Sequence, residues 1–391
     1  MPSAHRLRSW LAGALAILVA ALIAAACALW WVRSTVGGTS IRGTPYSLGT
    51  CRPESADAGF TRDPLLVGAD VGASARLGDG RVIWAYGDTF RRPDGVTLTA
   101  VRNSLVIEDG DCRAVVIPAG GQEAIPDRVD GVGYWPMSIA VTRERGASVV
   151  RVFAERVSGS ESRLGFANLG PAMATLRIPD GGDPVFQSVA DLGPDDLSRA
   201  NVGWGAAVAD GGDGYWYVYG TASPEAPLVF GWSVRVARAR VQDLDIPAAW
   251  EYWSGSAWTS NPADAAEVIP AEGGVSQTFS VFVRDGTWFA LSKRDGDLGT
   301  DLAVWSAAHP WGAFSDPVTV GRIPNEDSPS LLRYMPLAHP EASVDSSVLV
   351  SVCRNSLDPR RLVETPSLYR PFFVEIPLPP TSSHAPLDPH G

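Results

Sequence analysis

"ADVGASARLGDGRVIWAYGDTF", residues 69–90, reads as a hairpin. An alternating run from Ala69 leads into "LGDGR", and a strongly apolar, aromatic run follows to Phe90. Glycine and aspartate are the residues that tight turns demand, so the stretch is strand, turn, strand. It places one carboxylate, Asp70, where the first strand begins and another, Asp88, where the second ends.

The aromatic half of this hairpin returns along the chain. "RVIWAYGDTF" begins at Arg81, "VVRVFAERV" at Val149, "YWYVYGTA" at Tyr215, "TWFALSKRDG" at Thr287 and "VLVSVCRNS" at Val348. Four of the five follow a turn rich in Gly, Asp or Ser, with a β run before it. The recurrence, about every 65 residues, exceeds a minimal propeller blade, and loops between strands absorb the excess. Forty glycines and 31 prolines break the chain into short runs, and helical periodicity is nearly absent beyond the leader. The expected fold is all-β: a single five-bladed β-propeller over residues 60–376, with one blade completed by both chain ends. A pair of β-sandwiches is the rival, and it would not be expected to repeat one hairpin five times.

The 391 residues carry a net charge of −11, so no broad basic field exists to capture nucleic acid. Lys293 is the only lysine. From Trp10 to Val32 no charge interrupts the chain, and His5, Arg6 and Arg8 precede it. As a helix this run would rise about 34 Å, enough to cross a bilayer core. Residues 1–9 are therefore expected in the cytoplasm, 10–32 as a transmembrane signal anchor and 33–59 as a tether. The rest would face outward from the cell membrane, as a monomer. The alternative is a cleaved leader and secretion, since "LIAAAC" offers small residues; a lipoprotein cut at Cys27 lacks a polar tether after it. The Pro-rich tail, 377–391, is expected to be disordered. In an oxidising compartment Cys51 and Cys112 are expected to form a disulfide, with Cys353 a buried thiol; a Cys51–Cys353 bridge is the competing pairing.

In a propeller the first strand of each blade lines the central channel. Those strands open here at Asp70, Trp135, Trp204, Ser276 and Glu341, the last beside His339. Acids, indoles, a histidine and hydroxyls together suit carbohydrate: rings stack on aromatics while carboxylates take hydroxyls. Cleaving a glycosidic bond needs two placed carboxyl groups, which Asp70 and Asp88 could supply, although each alone is an ordinary turn residue. Glu341 and Glu155 are further candidate acids. Glu155 occupies the place equivalent to Asp88, with an ion pair to Arg156 or Arg163 as its plainer role. Arg354 and Asn355, like Arg102 and Asn103, could hold sugar hydroxyls, orient an acid, or form surface ion pairs. "RDGDLGTD" (294–301) has spaced aspartates but lacks the acid at the twelfth place of an EF-hand, where Ser306 stands. No serine-esterase, zincin or phosphate-loop motif occurs, and no cofactor or metal is expected.

"GADVGASARLGDGRVIWAYGDTF", "VRNSLVI", "YWPMSIAV", "AAWEYWSGSAW" and "YMPLAHPEAS…VLVSVCRNS" resemble, in that order, an actinobacterial domain group of unknown function (DUF4185) that includes endo-D-arabinanases. The resemblance implies a glycoside hydrolase acting on the D-arabinan of arabinogalactan or lipoarabinomannan, with Asp70 and Asp88 as catalytic carboxylates. Cell-envelope polysaccharide would be its partner. The fourth opening, "GGVSQTFSV", departs from the pattern by carrying no acid in its strand, and Glu272 lies too early. A glycan-binding or scaffold propeller that does not cut is the alternative function.

Overall fold

The quoted hairpin forms as β1 (Leu66–Arg76) and β2 (Val82–Arg91) in a computed structural model, which describes residues 65–379 except 111, 161–165, 324–330, 343–346 and 357. Leu77 donates its N–H to the Arg81 carbonyl at 2.7 Å, and Gly80 donates back to the Leu77 carbonyl at 3.0 Å. Gly80 turns at φ 96°, in the left-handed region where a Cβ is penalised. Arg81, 3 % exposed, donates to the carbonyls of Pro179 and Gly182 at 2.8 Å each, and so fastens this turn to that of the next sheet.

Five sheets follow one another along the chain. The first runs β1, β2, β4 (Ser104–Asp109), β5 (Cys112–Val116), with β3 (Thr99–Val101) on the far end of β2. The second is β6 (Gly133–Glu144), β7 (Ala147–Gly159), β8 (Phe166–Pro179) and β9 (Val185–Asp191). The third is β10 (Gly203–Asp210), β11 (Tyr215–Ala222), β12 (Ser233–Arg240), β13 (Glu251–Trp253) and β14 (Trp258–Thr259). The fourth is β15 (Ser280–Arg284), β16 (Thr287–Lys293), β17 (Asp301–Ala307) and β18 (Val318–Arg322). The fifth is β19 (Leu331–His339), β20 (Ser347–Ser356) and β21 (Phe372–Pro377). The fold is an all-β, five-bladed β-propeller.

The five aromatic runs are the second strands, β2, β7, β11, β16 and β20. Nearly every residue of β7, β11 and β16 is buried, because a strand covered on both faces needs apolar side chains at successive positions. Outer strands β9 and β18 are mostly exposed and correspondingly polar or interrupted.

Each sheet comes from one stretch of chain, so the blade expected to be shared by both ends is not found among the described residues. The C-terminal chain reaches β1 through α1 (Pro359–Glu364) and the turn Pro366–Tyr369 instead. Arg370 Nε donates to the Val67 carbonyl at 2.7 Å, and the rings of Phe90 and Tyr369 meet edge to face at 5.6 Å. Gly68 allows this approach: a Cβ there would stand 2.8 Å from the carbonyl oxygens of Pro366 and Tyr369.

The residues gather in two compact units. One holds the chain to Ser198 together with 331–333 and 352–372; the other holds Arg199 to 323, 334–351 and the residues from Phe373. The second unit is cored by Tyr217, Tyr219, Trp232, Phe279, Trp288 and Trp305. No helix among the described residues is long and apolar enough to cross a membrane, and the anchor expected at 10–32 lies outside them. Cys51 and most of the Pro-rich tail lie outside them too, and with Cys51 the disulfide expected to Cys112.

Candidate active site

The first unit brings Asp70 and Asp88 together through a break in the ladder. Ala69 pairs with Thr89 and Val71 with Tyr86, so Asp70 faces the two residues Gly87 and Asp88 across a β-bulge. Bulges re-aim side chains next to functional sites. A Cβ on Gly87 would lie 2.5 Å from Asp70 Oδ1, so glycine here is what lets the Asp70 carboxylate sit beside Asp88.

The bulge is strained and held. Val71 has φ 62° although it is β-branched, and Gly72 follows at φ 87°. Val71 donates its N–H to Cys353 Sγ at 3.0 Å, and Gly72 lies against the Tyr86 ring, which a Cβ would meet at 2.7 Å. Strained backbone of this kind persists where the surroundings over-determine it, and it concentrates at functional sites. The first strands β6 and β10 break register at comparable places, between Pro136 and Ser138 and between Trp204 and Ala207.

Asp88 is pushed up to about 8. Loss of water around the carboxyl is the main cause, and the charge of Asp70 adds to it. Trp135 Nε1 donates to Asp88 Oδ1 at 2.9 Å, and with the Arg102 charge it opposes the shift without cancelling it. Trp135, expected to stack on sugar, thus holds a carboxyl, while its ring meets Phe166 edge to face at 4.6 Å. Arg102 donates to the Gly131 carbonyl at 2.6 Å and to Asp127 at 3.2 Å; Asn103 is buried and bonded to the backbone of Ile125 and Tyr134.

Glu155 pairs in register with Trp135, is 7 % exposed and accepts the Gly170 N–H at 2.9 Å. Burial raises it to about 7 against the pull of that bond and of Arg156. The Arg156 guanidinium itself goes to Asp195 at 2.6 Å and Asp191 at 3.1 Å, and to three backbone carbonyls. Arg163 lies outside the described residues.

Arg354 Nε donates to the Arg370 carbonyl at 2.7 Å, linking β20 to the closing segment, and Asn355 Oδ1 is buried with no hydrogen-bond partner among the described residues. In the second unit Trp204 is buried against Tyr252, 5.1 Å between centroids. His339 is fully buried, with Nε2 2.8 Å from Ser351 Oγ and Nδ1 3.9 Å from Glu341. Cys353 is a buried thiol, as expected; motif reading missed its contact with Val71, Asp127 beside Arg102, and Asp297, which comes to the fourth sheet from a loop. Among the described residues no group of three or more His, Cys, Asp or Glu side chains is arranged to hold a metal ion.

The chain belongs to DUF5005, a domain family of unknown function, over residues 54–378. The DUF4185 group that the motifs resembled is not the family shown. No curated protein matches this DUF5005 chain. Among solved structures, a candidate hydrolase from Bacteroides ovatus ATCC 8483 is 20 % identical with a TM-score of 0.64, covering 82 % of this chain and 88 % of that one. It shows the fold alone. A GH43_1 enzyme from Xanthomonas citri is 11 % identical (TM-score 0.45; 87 % and 92 % covered). CoXyl43, a GH43 β-xylosidase/α-arabinofuranosidase from a compost metagenome solved with xylotriose, is 10 % identical (TM-score 0.45; 86 % and 94 % covered). These last two likenesses are too loose to carry an inference.

Proposed function

We propose that this protein is a glycoside hydrolase in which Asp88 protonates the leaving oxygen and Asp70 activates water or attacks the sugar. The observation that carries the reading is the pair itself: two carboxylates side by side on a strained bulge, one of them raised to about 8. A carboxyl whose surroundings keep it protonated at neutral pH is placed to act as the acid of such a pair. At neutral pH Asp88 keeps its proton and can donate it, while the Asp70 charge that helps hold the proton there is placed to serve as base or nucleophile. Trp135 fixes Asp88 Oδ1, leaving the other oxygen to carry the transferable proton.

The substrate we assign is cell-envelope D-arabinan, from the motif resemblance, with residues 10–32 as the membrane anchor that keeps the propeller outside the cell. Incubating the protein with purified D-arabinan should release short oligosaccharides, and both Asp70→Asn and Asp88→Asn should abolish release. Removing a positioned general acid costs about 10²–10⁴-fold in rate. Binding without release by wild type would leave the glycan-binding alternative; equal release by either variant would remove the pair from the chemistry.

A further inference from the structure

The sequence uses arginine at every basic position but one, and that one, Lys293, is fully buried at the end of β16. On a surface the two cations exchange freely; inside, a compact ammonium does what a guanidinium cannot. Lys293 Nζ donates to the Asp297 carbonyl at 3.2 Å. The Asp297 carboxyl is raised by burial and lowered by the Ser276 hydroxyl, by Lys293, by the Gln277 backbone and by Arg199, so these groups surround it.

The loop that brings Asp297 there is built to close tolerance. Asp295 donates its N–H to the Gly274 carbonyl at 2.8 Å. A Cβ on Gly299 would collide with the Arg294 carbonyl oxygen, one on Gly296 with the Phe230 carbonyl oxygen, and one on Gly274 with the Trp232 carbonyl oxygen. The glycines of "RDGDLGT" thus serve close backbone approach, and the approach fixes Asp297 beside Ser276 and Gln277, in the segment that leads into β15. Ser276 is 0 % exposed, and neither its Oγ nor Asp297 Oδ1 closes a hydrogen bond among the described residues. Gln277 and Asp297 are partly exposed, so the cluster runs inward from the surface. Orphaned buried polar atoms cost about 1–3 kcal/mol each, which marks them as groups awaiting a partner.

We infer that Ser276, Asp297 and Lys293 form a saccharide-hydroxyl binding site in the second unit. The charges select the class. The carboxylate disfavours phosphates and uronates, the Lys293 ammonium and the nearby Arg199 charge disfavour cations, and ammonium and carboxyl side by side offer the donor and acceptor that a hydroxyl takes. The site deepens the glycosidase reading and rests on it for its ligand class; it brings an acid to the fourth opening, "GGVSQTFSV", which carries none of its own.

The test measures binding of D-arabinan oligosaccharides, xylotriose and β-1,3-galactotriose to the full-length chain. Ser276→Ala deletes a buried hydroxyl whose approach to the Asp297 carboxyl falls short of a well-formed hydrogen bond, so its melting temperature should stay close to wild type. Its affinity for whichever probe binds should nevertheless fall about threefold, and that of Asp297→Asn about tenfold. Wild-type affinity in both variants, or no binding of any probe to wild type, overturns the site and leaves a loop-fastening ion pair. Product release with unaltered binding in these variants would sink this site alone. Binding that needs Ser276 without product release would sink cleavage alone.

Discussion

The carboxylate of Asp70 rests on the bare Cα of Gly87, where a Cβ would stand only 2.5 Å from Oδ1. The contact couples the two aspartates, since Gly87 precedes Asp88 on the same strand. Gly87→Ala adds one methyl, which must push the Asp70 carboxyl aside or open the bulge. A misplacement of about 1 Å at a reacting group costs about 10²-fold. Gly87→Ala should therefore lose most of the arabinan-cleaving rate while the cooperative unfolding transition survives, as followed by product release and thermal melting. Full activity would show that the Asp70 position is not critical.

The acidity of Asp88 sets the sign of the pH dependence. Its acid form is present below about 8, so kcat/KM should fall as pH rises through about 8. If Asp88 were the base, activity would rise over the same range. Stability runs the same way. The folded value lies above that of the unfolded chain, so stability is full below the unfolded value and is lost as pH rises from about 4 through about 8. Asp88→Asn cannot ionise, and its melting temperature should exceed wild type above pH 8 while its activity is gone. Glu155, raised to about 7, adds a similar loss between about 4.5 and 7, which Glu155→Gln should remove.

Trp135→Phe separates ring from donor. The Phe166 contact keeps an aromatic partner, while the 2.9 Å bond to Asp88 disappears. That bond favours the charged carboxylate, so its loss should move the alkaline fall in activity upward by on the order of one pH unit. kcat should drop about tenfold as Asp88 loses its anchor. An unshifted pH profile with weaker substrate binding would return Trp135 to a stacking role.

The fold was legible because second strands β2, β7, β11, β16 and β20 are buried on both faces, and burial on both faces writes itself as a run of aromatic and β-branched residues. Closure was not legible. The contact of Arg370 with Val67 joins residues about 300 positions apart through a backbone carbonyl, and a carbonyl has no sequence signature. Asp70 and Asp88 stood out because each interrupts or ends an apolar strand. The bond from Trp135 to Asp88 did not, since an indole that stacks on sugar and one that donates to a carboxyl are the same letter. Asp297 was hidden for a related reason: it stood out only as one of the spaced aspartates of "RDGDLGTD", and its approach to Ser276 depends on glycine contacts across the loop.

Val71 offers the sharpest separation of stability from function. A β-branched residue at φ 62° is held in a conformation that glycine adopts without penalty, and backbone strain of this kind costs about 1–3 kcal/mol. Val71→Gly should release part of it, but glycine also gains freedom in the unfolded chain, worth up to about 1 kcal/mol the other way. The buried side chain is lost as well, at 6 % exposure. The net change in melting temperature should therefore be small. The bulge would lose its stiffness, because the Val71 N–H bond to Cys353 Sγ would no longer be backed by a restricted backbone. Asp70 is the preceding residue, so its carboxyl should wander and the rate of D-arabinan cleavage should fall at least tenfold. Cys353→Ser tests the same clamp from the other side, since a hydroxyl still accepts the Val71 N–H but is smaller than the thiol; it should lose less. A Val71→Gly protein that keeps wild-type kcat and KM would show that the strained turn does not position Asp70.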